Sequence, residues 1–160
     1  MITTQKVTPF LSFHREAEDA AKFYTSVFKN SRITKVSRYE FDSPHTPPKG
    51  TVMTVSFELD GQQFTALNGG PSGFNQAVSF VVNCNDQAEI DYFWERLTAD
   101  GGSPIMCGWL KDKFGLSWQI VPEEIFARIG GPQSASVMQA MMGMIKLDVA
   151  ALKAVAASAR

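Results

Sequence analysis

Cys107–Pro122, CGWLKDKFGLSWQIVP, reads as a β-hairpin. Trp109-Leu110-Lys111 runs into the turn Asp112-Lys113-Phe114-Gly115, and Leu116–Val121 returns with Leu116, Trp118 and Ile120 on one face. Gly115 supplies the positive φ of a short loop, Asp112 can bond its own backbone two residues on, and Pro122 ends the strand. The opposite face carries Ser117, Gln119 and Val121. One side is core, and the other is a candidate cavity lining.

Outward from this hairpin, the second half of the chain is β-α-β-β-β. Ala77–Asn83 is an apolar strand. Asp86 with Glu89 three residues on opens a helix in capping-box fashion, and Ile90, Phe93, Trp94 and Leu97 give it a buried stripe. Gly101-Gly102 ends that helix, and a strand at about 103–107 precedes the hairpin. The first half has the same order. Val7, Leu11 and Phe13 alternate in a strand at about 6–13, and Ala20, Tyr24, Val27 and Phe28 form a helical stripe whose first turn is acidic. Asn30 is a left-handed stop. Ser31–Phe41 is a strand, 42–50 a proline-rich loop, and Thr51–Leu59 and Gln62–Asn68 are strands joined by the hairpin signal Asp60-Gly61.

A βαβββ unit used twice is an internal repeat of architecture. The expected fold class is therefore α+β: two modules, about 6–68 and 77–122, curling into a cupped mixed β-sheet with outer helices and a cavity inside, in one domain spanning 1–160. After Pro122 the chain changes character. Glu123–Ile129, Ser136–Met142 and Val149–Ala157 read as short helices of a tail over 123–160. Its apolar middle, with Met138, Met141, Met142, Met144 and Ile145, must be covered by the domain or by a second subunit.

Composition narrows the partners. The 160 residues carry 15 basic and 16 acidic side chains with no run of one sign, which argues against nucleic acid and anionic membrane. No stretch reads as a signal peptide or as a membrane span. Cys84 and Cys107 stand alone, so both are expected as reduced thiols in a cytoplasmic protein. The expected partner is a small molecule or a second copy of the chain.

The paired βαβββ order, AEDAAKFYTSVF in the first helix and the Phe114-Gly115 hairpin resemble the vicinal oxygen chelate superfamily, which holds the glyoxalases, dioxygenases and bleomycin-resistance proteins. FTALNGGP, SFVVNCNDQAEIDYFWERL, GGSPIMCGWLKDKFGLSWQIVP and VMQAMMGMIKLDVAAL resemble its PhnB-like branch, often labelled 3-demethylubiquinone 3-methyltransferase-like. The resemblance implies a homodimer with a sheet cavity, in which enzymes of the superfamily hold a divalent metal on four His, Gln or Glu side chains. The corresponding positions here are Pro9, Phe64 or Ala66, Ser79 and Gln119. Proline has no ligating atom and Phe, Ala and Ser are poor ones, so the quartet is missing; no cofactor is expected, and the residues give no support to a divalent metal.

Two readings of function stand side by side. One is a metal-free cavity that binds a small organic molecule, lined by Phe64, Asn68, Ser79, Trp109, Trp118 and Gln119. The alternative is a metal-dependent lyase, isomerase or dioxygenase, which needs at least three converging ligands. The chain has two histidines, His14 reading as surface or helix cap and His45 as loop. Nothing lowers the pKa of Cys107, and the turn already explains Asp112. A Rossmann-type methyltransferase is rejected, because neither Gly69-Gly70 nor Gly130-Gly131 has the required loop spacing and hairpins are incompatible with a doubly wound sheet.

Overall fold

The computed structural model describes residues 5–158, in two compact units that divide between Gly73 and Phe74. The first consists of β1 (Phe10–Phe13), α1 (Ala17–Val27), β2 (Arg32–Arg38), β3 (Val52–Leu59) and β4 (Gln62–Asn68). Its sheet runs β1-β4-β3-β2, with β1 parallel to β4 and the other pairs antiparallel. The alternation in β3 sends Val55, Phe57 and Leu59 inward, where they meet Ala20, Tyr24 and Val27 of α1. Tyr24 stacks on Phe57 at 6.2 Å between ring centroids, and Phe57 on Phe64 at 5.4 Å.

The first strand is shorter than the alternation suggests. Its ladder begins at Phe10, and Val7 is exposed. Pro9 cannot donate to a partner strand, and only its carbonyl engages β4, by accepting from the Thr65 amide.

The second unit repeats the plan with β5 (Ser79–Cys84), α2 (Gln87–Thr98), a 3₁₀ turn at Ala99–Gly101, β6 (Ser103–Pro104), β7 (Trp109–Lys111) and β8 (Ser117–Pro122). Its strand order is β5-β8-β7-β6, again with the outer pair β5–β8 parallel. Both units are thus α+β, and the duplicated architecture read from sequence is present. The Asp86 side chain accepts from the Glu89 amide at 2.9 Å and the Glu89 carboxylate accepts from Asn85, which makes the α2 start a reciprocal cap. Leu110, Leu116, Trp118 and Ile120 are buried, with β7 and β8 packed under α2. Trp94, read as core, is only half-buried.

The β6 segment expected over 103–107 pairs for only two residues. Cys107 turns out of the ladder in a left-handed conformation (φ 58°), and the tail supplies its backbone partner instead, with the Cys107 amide donating to Met144 O at 2.7 Å. The tail folds as α3 (Glu123–Phe126), α4 (Ser134–Met142) and α5 (Val149–Ser158). The first is shorter than 123–129, because Arg128 and Ile129 bond three residues back rather than four. Val121, Ile125, Val137, Met141, Leu147, Leu152 and Ala156 form a satellite core that ties the tail to the end of β8. Among the described residues no helix is long and apolar enough to cross a membrane.

Candidate functional site

The open face of the second sheet meets the tail at a cavity of about 160 Å³. The sheet contributes Cys107, Trp109, Gln119 and Val121. Pleating dictates the choice: Trp109 and Gln119 are directly paired across β7 and β8, while the neighbouring Leu110 and Trp118 pair on the helix side. Facing them are Phe126 at the end of α3, Ile129 in the turn that follows it, and Met138, Met141 and Met142 at the i, i+3, i+4 spacing of one α4 face.

The Gln119 amide is held in place. Its Nε2 donates to Ser79 Oγ at 2.9 Å, across the parallel β5–β8 pair. That bond uses one Nε2 hydrogen, so a ligand would meet the amide oxygen as acceptor and the second Nε2 hydrogen as donor. Burial pushes the Cys107 thiol above its ordinary pKa, so it is protonated at neutral pH and adds no charge to the wall. No Asp, Glu, Lys, Arg or His lines the cavity. A site with this lining can bind and orient; it has no general base or activated nucleophile.

Of the residues singled out from sequence, Trp109 and Gln119 line this cavity, and Ser79 touches it only through its hydrogen bond with Gln119. The other three do structural work. Trp118 is buried on the opposite face, and its indole Nε1 donates to Asp112 Oδ2 at 2.8 Å. Phe64 lies in the core of the first unit, stacked on Phe57. Asn68 is buried at the end of β4, where its Oδ1 accepts from the Ala17 amide at 2.9 Å and its Nδ2 donates to Val52 O at 3.2 Å. It satisfies the amino end of α1 from 51 residues away, a job no side chain at the N-cap position performs.

The tail wall was missed in sequence as part of a site. Its signal was present as the Met138, Met141, Met142 spacing, which also fits a plain buried stripe.

Positions that correspond to metal ligands do not fit an ion. Pro9 has no side-chain donor atom, Phe64 and Ala66 both face the first core, and Gln119 Oε1 is the one oxygen of a ligand type used by the superfamily. Among the described residues no three His, Cys, Asp or Glu side chains are grouped to hold a metal. His14 and His45 are both exposed.

The sequence profile of the 3-demethylubiquinone-9 3-methyltransferase family matches residues 5–121. Among solved structures, a Bacillus cereus PhnB protein, described as a 3-demethylubiquinone-9 3-methyltransferase, shares 37% identity at a TM-score of 0.65, over 74% of this chain and 99% of its own. A Pseudomonas aeruginosa protein shares 20% identity at a TM-score of 0.62, over 75% and 98%. Fosfomycin resistance protein FosX from Mesorhizobium loti, at 14% identity and a TM-score of 0.56 over 82% and 100%, has the same fold. No curated protein matches the chain. The family match stops at Val121, and the five lining residues from Phe126 to Met142 all lie beyond it.

Proposed function

We propose that this chain, which belongs to the 3-demethylubiquinone-9 3-methyltransferase (PhnB-like) family of the vicinal oxygen chelate superfamily, binds a small organic molecule between Trp109, Gln119 and the helical tail, without a metal. The observation that carries this reading is the lining: an apolar cavity with one amide fixed by Ser79 and no Asp, Glu, Lys, Arg or His in its wall. The reading does not use the methyltransferase activity in the family's name. At about 160 Å³ the cavity is below the roughly 300 Å³ at which drug-sized ligand sites begin.

The test is thermal unfolding of chelator-stripped protein against a library of small organic molecules, with nickel, zinc, manganese, iron(II) and magnesium as parallel arms. A ligand at 100 times its Kd adds about 2.7 kcal/mol, a rise of several degrees. Trp109→Ala and Gln119→Ala should each weaken such a ligand about 5-fold or more, the loss of a stacking face or of one hydrogen bond. A hit whose affinity neither substitution changes would place binding elsewhere. A selective rise with one metal and none with organic molecules would restore the metal-dependent lyase, isomerase or dioxygenase reading.

The reading includes a homodimer in the cytoplasm. Met138, Met142 and Ile145 leave apolar surface at the tail, which a second copy would cover. Sedimentation equilibrium should return twice the chain mass; a monomer at all concentrations would remove the dimer.

A further inference from the structure

We infer that the ligand class of this pocket is a neutral single-ring aromatic molecule carrying one hydroxyl, phenol being the simplest, and that the helical tail supplies half of the wall that selects it; the inference rests on the binding reading above. Size comes first. A cavity of about 160 Å³ is close to the ~150 Å³ of an apolar protein cavity that accommodates benzene. A second fused ring would have to leave through the open side.

Charge comes next. An anionic group would be desolvated against Phe126, Ile129 and Met141 with no cation in the lining, and a cation would find no carboxylate there. The ring itself is well provided for. Trp109 offers an aromatic face, and the thioethers of Met138, Met141 and Met142 are polarisable partners for ring edges. One polar contact remains. One Nε2 hydrogen goes to Ser79, which leaves Gln119 its Oε1 as acceptor and a second N–H as donor, so a single ligand hydroxyl, able both to donate and to accept, is matched.

The test is calorimetric titration of the full chain with five probes of matched size: phenol, toluene, cyclohexanol, benzoate and benzylammonium. Phenol should bind about 5-fold more tightly than toluene, the worth of one neutral hydrogen bond, and more tightly than cyclohexanol, which lacks the ring. Benzoate and benzylammonium should bind at least 10-fold more weakly than phenol. Gln119→Leu should bring phenol and toluene to equal affinity, and Met138→Ala with Met142→Ala, both on exposed positions, should weaken phenol and toluene alike while leaving the fold intact.

Benzoate or benzylammonium equalling phenol, with both effects lost in Trp109→Ala, overturns the ligand class and leaves the binding pocket standing. Cyclohexanol equalling phenol does the same. Binding of phenol that is indifferent to Gln119→Leu and to the methionine pair removes the tail's role. No binding by any of the five overturns the ligand class, and if the library used for the proposed function is also silent the pocket reading falls with it.

Discussion

Asp112→Ala should lower the stability of the second unit by about 3–5 kcal/mol, with a loss of near-ultraviolet circular dichroism from Trp118. The Asp112 side chain is 1% exposed and accepts from the Phe114 amide at 2.8 Å, the Leu116 amide at 3.1 Å and the Trp118 indole at 2.8 Å. The backbone of the same residue closes the turn, donating to Leu116 O and accepting from Gly115. Truncation strands these donors in a site that water reaches poorly, at a cost of about 1–3 kcal/mol for each one left unsatisfied. Asp112→Asn keeps one acceptor but aims an NH₂ group at donors, so a smaller loss of about 2–4 kcal/mol is expected. Chemical denaturation of both variants, with Trp118→Phe completing a double-mutant cycle, isolates the indole contact. A coupling energy near zero would show that the turn alone, and not the carboxylate–indole bond, holds the hairpin.

The second large effect is expected at Leu147. This side chain is fully buried in the core between the tail and β8, and it lies beneath Gly108. Gly108 (φ 79°) is the residue through which sheet and tail join: its amide donates to Ile145 O at 2.8 Å and its carbonyl accepts from Ile120. A Cβ there would stand 2.9 Å from Ile120 O and 3.0 Å from Leu147 Cγ, so backbone and side chain interlock. The carbonyl of Leu147 also accepts from Gln87 Nε2, and the Gln87 Oε1 accepts from Val149, which pins the start of α5 to α2. Leu147→Ala should cost about 2–5 kcal/mol by the cavity it leaves.

Its signature separates tail docking from general loosening. Hydrogen exchange at the Cys107 and Gly108 amides should accelerate far more than at the β3 and β4 amides of the first unit, because those two donate into the tail. Ligand binding should weaken in parallel, since α4 forms one wall of the pocket. Uniform acceleration across both units would show that the tail is not a separable element.

Much of this architecture was legible in the chain. The period-two runs at Val55-Phe57-Leu59 and Leu116-Trp118-Ile120, the helical stripes, the Asp86 cap and the Asp60-Gly61 turn are local signals, and each acts over a few residues. Their order gave the duplicated βαβββ plan, and the pleat alone marked Gln119 as facing away from the core. Two residues read as ligand-binding by type alone meet other partners in the fold, one distant in sequence and one within the hairpin. Asn68 at a strand end has the chemistry of a ligand-binding amide, yet it is consumed by Ala17, 51 positions away. Trp118 could have stacked on a ligand until the fold set its indole on Asp112.

What the sequence by itself determined was the set of elements and their repeat, since side-chain period is a property of the chain alone. Only the tertiary structure decided that the methionine-rich tail folds onto the second sheet and closes a cavity over Trp109 and Gln119. An amphipathic helix shows that one face must be covered; what covers it depends on contacts such as Cys107 to Met144 and Gly108 to Ile145, which no local pattern encodes.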